Sequence, residues 1–163
     1  MSLKTGLAPI ARSDACILIL GSLPGDASLS ARQYYAHPQN QFWKLLSGSI
    51  QQDLVAMEYA QRIIALQSAG IALWDVIGAA HRQGSLDQKI RDAQINGLRD
   101  FVTTLPRLRV IAFNGKKAAA SAGNAFSRLS TDILMLPSSS AAYTLKVSQK
   151  AIAWSALARY LPF

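Results

Sequence analysis

Residues 15–28 read ACILILGSLPGDAS. The run Ala15–Leu20 is apolar at every position and shows no alternation with polar residues, the pattern of a strand buried on both faces, as in a parallel sheet. It stops abruptly at a turn built from two glycines and a proline. Three further runs have the same character: Ile71–Val76, Leu108–Phe113 and Asp132–Leu136. Helical patterns separate them, over Asn40–Ser47 (opened by Pro38), Leu54–Ser68, Ile95–Leu105, Lys116–Leu129 and Lys146–Tyr160. Strands alternating with helices predict a three-layer α/β/α sandwich around a central four-stranded parallel sheet, joined by right-handed crossovers. No repeat, low-complexity tract or linker interrupts the pattern, so one domain over residues 1–163 is expected.

Open parallel sheets bind ligands at the carboxyl ends of their strands. The loops expected there are GSLPGDAS, the stretch around Asp75, FNGKK (113–117) and LPSSSAAY (136–143). These are also the loops of least ordinary composition, and all four should converge on one crevice.

Half of the residues are hydrophobic and 16% are charged, which places the chain among folded proteins. Its longest apolar stretch, about Ala69–Ala80, contains Asp75 and is too short to span a bilayer. The first fifteen residues lack the apolar segment of a secretory signal. Cys16 is the single cysteine; within CILIL it reads as a packing residue, and the reducing cytoplasm is the expected compartment. Net charge is +8 and unevenly placed: residues 1–80 hold five Lys/Arg and five acids, residues 81–163 twelve and four. Such a bias fits a polyanionic partner such as nucleic acid, or a basic surface that only serves solubility.

QYYAHPQNQFW, residues 33–43, follows the glycine turn closely. It concentrates aromatic, amide and imidazole groups, which suit stacking on a flat ring and hydrogen-bonding to its edge. Pro38 would place Asn40 in the first turn of a helix, near the positive end of the helix dipole. An amide there can hold a water or a leaving group, or simply cap the helix. Phe42 and Trp43 sit at core spacing, and either Tyr34 or Tyr35 could stack on a base. GSLPGDAS lacks the endings of a Walker loop and of GxGxxG; it is a close-approach loop for a ligand or a plain strand-ending turn. Asn114, Lys116 and Lys117 suit an anion site at a helix start, or a solvated basic turn. Ser138, Ser139 and Ser140 suit phosphate contacts, and Tyr143 could insert into a duplex. Asp26 and Asp75 are the acids near the expected crevice; either could assist water activation, and Asp75 could instead be a hydrogen-bond acceptor at the strand end. No Gly-x-Ser-x-Gly and no Cys/His cluster supports other hydrolytic or zinc chemistry.

GSLPGDASLS, QYYAHPQNQFW, FNGKKA and LPSSS, in this order and spacing, resemble the uracil-DNA glycosylase superfamily, and more narrowly its hypoxanthine-DNA (deoxyinosine) glycosylase branch. The resemblance runs from about residue 15 to the end of the chain. HPxNxFW is its most specific motif and is also similar to the mismatch-specific uracil glycosylases. The resemblance implies double-stranded DNA carrying a deaminated base as partner, removal of the base from a flipped-out nucleotide, and no metal or cofactor. By position it implies Asn40 as the catalytic amide and Tyr35 as the aromatic on the base. The backbone around Ser22 and Leu23 would meet the base edge, and Ser138, Ser139 and Ser140 would grip the DNA strand beside the extruded nucleotide. The residues themselves add the Asn114 amide as a further base contact and Lys116 as a DNA contact. It also implies base excision repair by a monomer in the cytoplasm, at the nucleoid. Two departures bear on the branch. Leu23 stands where mismatch-specific uracil glycosylases carry Asn, and leucine cannot orient water. Leu136 stands where several uracil branches carry His before Pro-Ser.

The mechanism this implies is hydrolysis of an N-glycosidic bond through an oxocarbenium-like sugar. Asn40 would orient water while backbone donors stabilise the departing hypoxanthine. An amide has no useful pKa, so a rate nearly flat across neutral pH is expected. The rivals are a uracil or mismatch-specific glycosylase on the same scaffold, a damaged-DNA-binding protein without catalysis, and a small-nucleotide-binding α/β protein.

Overall fold

The computed structural model describes residues 2–162. In chain order the elements are β1 (Leu3–Thr5), β2 (Ile17–Gly21), α1 (Asp26–Ala31), α2 (Phe42–Ile50), α3 (Tyr59–Ser68), β3 (Ile71–Asp75), β4 (Ile77–His81), β5 (Arg91–Ile95), α4 (Leu98–Thr103), β6 (Val110–Asn114), α5 (Lys116–Ala122), β7 (Asp132–Leu136) and α6 (Val147–Trp154). Short 3-10 turns cover Asp87–Lys89 and Ser155–Tyr160.

The central sheet has the order β3-β2-β6-β7 and every neighbouring pair is parallel. Its middle strands explain why their sequences do not alternate. Ile17 and Ile19 of β2 face one core with Phe42, Leu46, Leu66 and Trp154, while Leu18 and Leu20 face a second with Ile77, Leu98, Ile111 and Ala118. Successive side chains do point to opposite faces, but both faces are covered, so both sets are apolar. Helices α2, α3 and α6 form one outer layer; α4, α5 and a small second sheet form the other. The four-stranded α/β/α sandwich is therefore the observed core of the fold. The edge strand β7 differs from its siblings, because Ile133 and Met135 are exposed.

The sequence pattern misses that second sheet, an antiparallel β1-β4-β5. Every residue of β5, RDAQI, is exposed, so no burial signal marks it. Its pairing with β4 is broken by register shifts, and Asp92 has a φ of 54°, the mark of a bulged strand. Because Ile95 belongs to β5, the helix expected from that residue begins at Leu98.

Other boundaries shift for local reasons. The helix expected from Leu54 starts at Tyr59, because the Leu54 N–H donates to Ser47 Oγ at 3.0 Å and the Ala56 N–H to Asp53 Oδ1 at 3.3 Å, which bends the chain first. The one expected to reach Leu129 stops at Ala122, where Gly123 takes a φ of 55° and ends it. The helix opened by Pro38 begins at Phe42, which leaves Asn40 just outside it.

Trp154 packs against Phe42 edge-on at 5.6 Å and donates Nε1–H to the Pro137 carbonyl at 2.9 Å, so one side chain joins the helical core to the serine loop. It is fully buried. Trp154→Ala should lower unfolding free energy by about 3–5 kcal/mol in urea titration; a loss below about 1 kcal/mol would show that the core does not depend on it.

Candidate functional site

The loops at the carboxyl ends of the parallel strands enclose a crevice of about 910 Å³. It receives residues from the β2 loop, the 33–41 segment, the end of β3, the β6–α5 turn and the loop after β7. All nine positions singled out in the sequence for catalysis, base or DNA contact line it: Asn40, Ser22, Leu23, Tyr35, Asn114, Ser138, Ser139, Ser140 and Lys116. They do not present themselves to it in the same way.

Asn40 precedes α2, and its side chain reaches over the helix start. Its Oδ1 accepts the Phe42 N–H at 2.9 Å and the Ser139 hydroxyl at 2.9 Å. A backbone N–H can only donate, so the amide oxygen must lie on that side and both its lone pairs are engaged. The Nδ2 group is left to face the crevice. Asn40 is thus a hydrogen-bond donor toward any ligand, held in place by its oxygen.

Ser139 turns inward and is 1% exposed. Its N–H donates to Asn114 Oδ1 at 2.9 Å, its Oγ accepts from Asn114 Nδ2 at 2.9 Å, and its carbonyl accepts from the Gln41 N–H at 2.9 Å. Asn114 also donates Nδ2–H to the Tyr35 hydroxyl at 3.2 Å. Both residues were expected at the ligand surface, Ser139 against the DNA and Asn114 against the base edge. Their polar groups are instead occupied by one another, in a chain Tyr35–Asn114–Ser139–Asn40. Ser138 and Ser140 remain half-exposed on either side, and Lys116 is exposed at the start of α5.

Tyr35 stacks flat on Phe42, with ring centroids 3.9 Å apart and planes at 9°. Its φ is 54°, a left-handed conformation uncommon outside glycine and a mark of a position the surroundings over-determine. Tyr34 faces the core, donating its hydroxyl to the Ala8 carbonyl at 2.8 Å. His37 Nδ1 accepts the Gln39 N–H at 3.1 Å, so this imidazole closes the turn before Asn40.

The glycine turn after β2 is locked from below. Arg82 is fully buried and donates to the carbonyls of Pro24 at 2.7 Å, Gly84 at 2.7 Å and Leu23 at 3.4 Å. Its guanidinium lies 3.6 Å from Asp26, which also pairs with Lys4 at 2.8 Å. Lys4 and, more weakly, Arg82 hold the Asp26 carboxyl below its ordinary pKa. Asp26 is therefore engaged outside the crevice. With the Leu23 carbonyl held by Arg82 and the Ser22 carbonyl by the Ile77 N–H at 2.9 Å, the N–H groups of Ser22 and Leu23 find no acceptor among the described residues and are available to a ligand.

Two acids matter here. The sequence places Asp75 near the crevice, and it lines the wall, 4% exposed, with Oδ2 lacking any hydrogen-bond partner. It is not the structural acceptor that the sequence allows. Burial above all, and then the negative charge of Asp87, push its pKa up to about 7, with Arg82 opposing. Asp87 comes from the tip of the β4–β5 hairpin and accepts the Ser22 hydroxyl at 2.6 Å. It has no motif around it; the one local signal that could have marked a hairpin there is the Gly84–Ser85 turn. Gly21 makes the space: a Cβ there would stand 2.6 Å from Asp75 Oδ1 and 2.8 Å from the Tyr35 hydroxyl. Among the described residues no group of three His, Cys, Asp or Glu side chains gathers as a metal site, and no helix is long and apolar enough to cross a membrane.

Lys150, like Arg82 and Asp87, is a residue the sequence does not flag. Its side chain is fully buried and donates to Gln41 Oε1 at 2.9 Å and the Ser140 carbonyl at 3.1 Å, and its ammonium lies 5.3 Å from the Tyr143 ring centroid. Burial lowers its pKa. This cation fixes the serine loop against the segment carrying Asn40.

A family model described as the uracil DNA glycosylase superfamily matches residues 9–158. A hypoxanthine DNA glycosylase of Methanosarcina barkeri is 45% identical over 115 residues, 71% of this chain and 73% of that protein. A hypoxanthine DNA glycosylase of Methanosarcina acetivorans is 37% identical over 158 residues, 97% of this chain and 99% of that protein. The solution NMR structure of a Methanosarcina acetivorans protein provisionally assigned as a uracil DNA glycosylase superposes with a TM-score of 0.89 at 36% identity, covering 99% of this chain and all of that one.

A carboxyl whose pKa is raised on folding binds its proton more tightly in the native state, so between about pH 4 and pH 7 native stability falls as pH rises. Asp75→Asn, which has no proton to lose, should raise the melting temperature at pH 8 well above wild type and much less at pH 5, reflecting a few kcal/mol at most. Equal shifts at both pH values would mean that Asp75 titrates normally.

Proposed function

The chain belongs to the uracil DNA glycosylase superfamily, and on that premise we propose that it is a monofunctional DNA glycosylase that releases hypoxanthine from deoxyinosine in double-stranded DNA, the first step of base excision repair. The observation that carries this reading is the disposition of Asn40: an amide fixed through its oxygen, its NH2 turned into a crevice that also holds the free backbone donors of Ser22 and Leu23 and the ring of Tyr35. The likeness to two hypoxanthine DNA glycosylases over most of their length supports the choice of base.

The basic second half of the chain, with Lys116 at the mouth, takes the phosphates, giving affinity that is independent of sequence and falls with salt. Ser138 and Ser140 contact the strand beside the lesion; Ser139 acts from behind by holding Asn40. A deaminated purine pairs weakly, so extruding it is easier than extruding a normal base. The extruded ring lies on the face of Tyr35 opposite Phe42. The N–H groups of Ser22 and Leu23 meet acceptors on the base edge and stabilise the charge that collects there as the C1′–N9 bond lengthens. Asn40 donates to the oxygen of the water that adds to C1′ and so fixes its position. The sugar by then has oxocarbenium character, and such a cation needs no strong base to accept water. Asn114 holds Tyr35 and Ser139 rather than the base. The protein works as a monomer in the cytoplasm, at the nucleoid.

Single-turnover assays on duplexes with one hypoxanthine or one uracil, followed by alkaline cleavage of abasic sites, test this. Wild type should release hypoxanthine, and Asn40→Ala should slow release at least 100-fold with little change in duplex binding. Release of uracil alone would move the protein to a neighbouring branch, and binding without release of either base would make it a lesion-binding protein. Borohydride should trap no covalent adduct. Lys116→Ala should weaken binding equally on all sequences and reduce the salt slope by about one; an unchanged slope would remove Lys116 from the phosphate contacts.

A further inference from the structure

Asp75 has no structural task for its carboxyl. Its backbone carbonyl accepts the Asn96 Nδ2–H at 2.8 Å, and its residue pairs in register with Gly21 at the end of β3. The carboxyl itself lines the crevice with Oδ2 unpartnered and almost wholly buried. Burying a carboxylate without a donor is costly, whereas a neutral carboxyl carries its own donor and needs only an acceptor. Such an acceptor would come from the crevice, whose wall Asp75 shares with Gly21 and Tyr35; because Gly21 has no Cβ, Asp75 Oδ1 and the Tyr35 hydroxyl both come close to the β2 backbone there.

We propose that Asp75 is a second catalytic residue of this glycosylase, and that in its neutral form it donates a hydrogen bond to a carbonyl oxygen or ring nitrogen of the departing base. This rests on the glycosylase reading above and deepens it. As the C1′–N9 bond breaks, its electron pair stays on the base, and the acceptor becomes more basic. A short hydrogen bond from a neutral acid strengthens at that moment, while a carboxylate at the same place would repel the growing charge. The proton stays with Asp75 throughout; the water that adds to C1′ releases its proton to solvent.

The charged and titratable groups facing Asp75 are Asp87 from the β4–β5 hairpin tip, Arg82 at the end of β4, and Tyr34 and Tyr35 from the segment before α2. Both tyrosines have their pKa raised, above all by burial and then by Asp75, and stay neutral across the working range. Asp87 favours the neutral carboxyl and Arg82 opposes it. The neutral form persists to about pH 7 and is lost above it. The flat profile expected from an amide acting alone is therefore replaced by one that falls on the alkaline side.

The test is the single-turnover excision rate on a hypoxanthine duplex from pH 5.5 to 9 for wild type, Asp75→Asn and Asp75→Ala. Wild type should hold a plateau at low pH and then lose about tenfold per pH unit above the carboxyl's titration. Asp75→Asn keeps a donor that cannot ionise, so it should stay within about tenfold of the wild-type plateau and lose the alkaline fall. Asp75→Ala should be at least 100-fold slower at every pH. A wild-type rate that rises through the same range, with Asp75→Asn inactive, would make Asp75 a general base and overturn the proposal. A wild-type profile shared by Asp75→Asn and Asp75→Ala would overturn it too. If wild type releases no hypoxanthine at any pH, the glycosylase reading itself fails, which these profiles separate from a failure of Asp75 alone.

Discussion

One buried serine holds the carboxyl ends of this sheet together. Ser139 has its N–H, its carbonyl and its hydroxyl all engaged: with Asn114 at the end of β6, with Gln41 before α2, and with the Asn40 amide oxygen. Three loops far apart in sequence are fixed to one another through it, and Tyr35 joins through Asn114. Remove the hydroxyl, and a buried Asn114 N–H and one lone pair of Asn40 lose their partner, the costly kind of loss in a dry interior. The network also decides which end of Asn40 meets the substrate. With the oxygen held from two sides, only the NH2 is free.

The rest of the site follows the same logic of fixed donors. Arg82 pins the carbonyls of Leu23 and Pro24 from beneath, and the N–H groups of Ser22 and Leu23 have no acceptor among the described residues. Lys150, buried with neutral acceptors, braces the serine loop. Donors held rigidly where negative charge will collect stabilise a leaving group without reorganising. A purine that departs with an electron pair needs this kind of surrounding, and the role proposed for Asp75 would add one more donor to it. The geometry favours a chemistry that supports the departing base over one that activates the incoming water.

Much of this was legible in the sequence because it depends on residue type and spacing. Strands buried on both faces must be apolar throughout, which holds for β2, β3 and β6; β7 reads the same way in the sequence, but its edge position leaves Ile133 and Met135 exposed. The crevice follows from the rule that parallel strands open their carboxyl ends to ligands, and GSLPG, HPQNQF and FNGKK marked it. What could not be read was which polar group points where. Nothing local distinguishes Ser139 from Ser138 and Ser140, yet only one is buried. The side chain of Asn114 looked like a base contact and is engaged in holding others. Arg82, Asp87 and Lys150 reach the site through tertiary packing, from a hairpin with no burial pattern and from a helix remote in sequence, so no short motif announces them.

The most direct test of this account is a double-mutant cycle between Asn40→Ala and Ser139→Ala, read as single-turnover release of hypoxanthine. If Ser139 acts by orienting Asn40, its loss should slow wild type by one to two orders of magnitude but add less than about threefold once Asn40 is gone. Fully multiplicative losses would show that the two residues work independently, and the network would no longer explain the site.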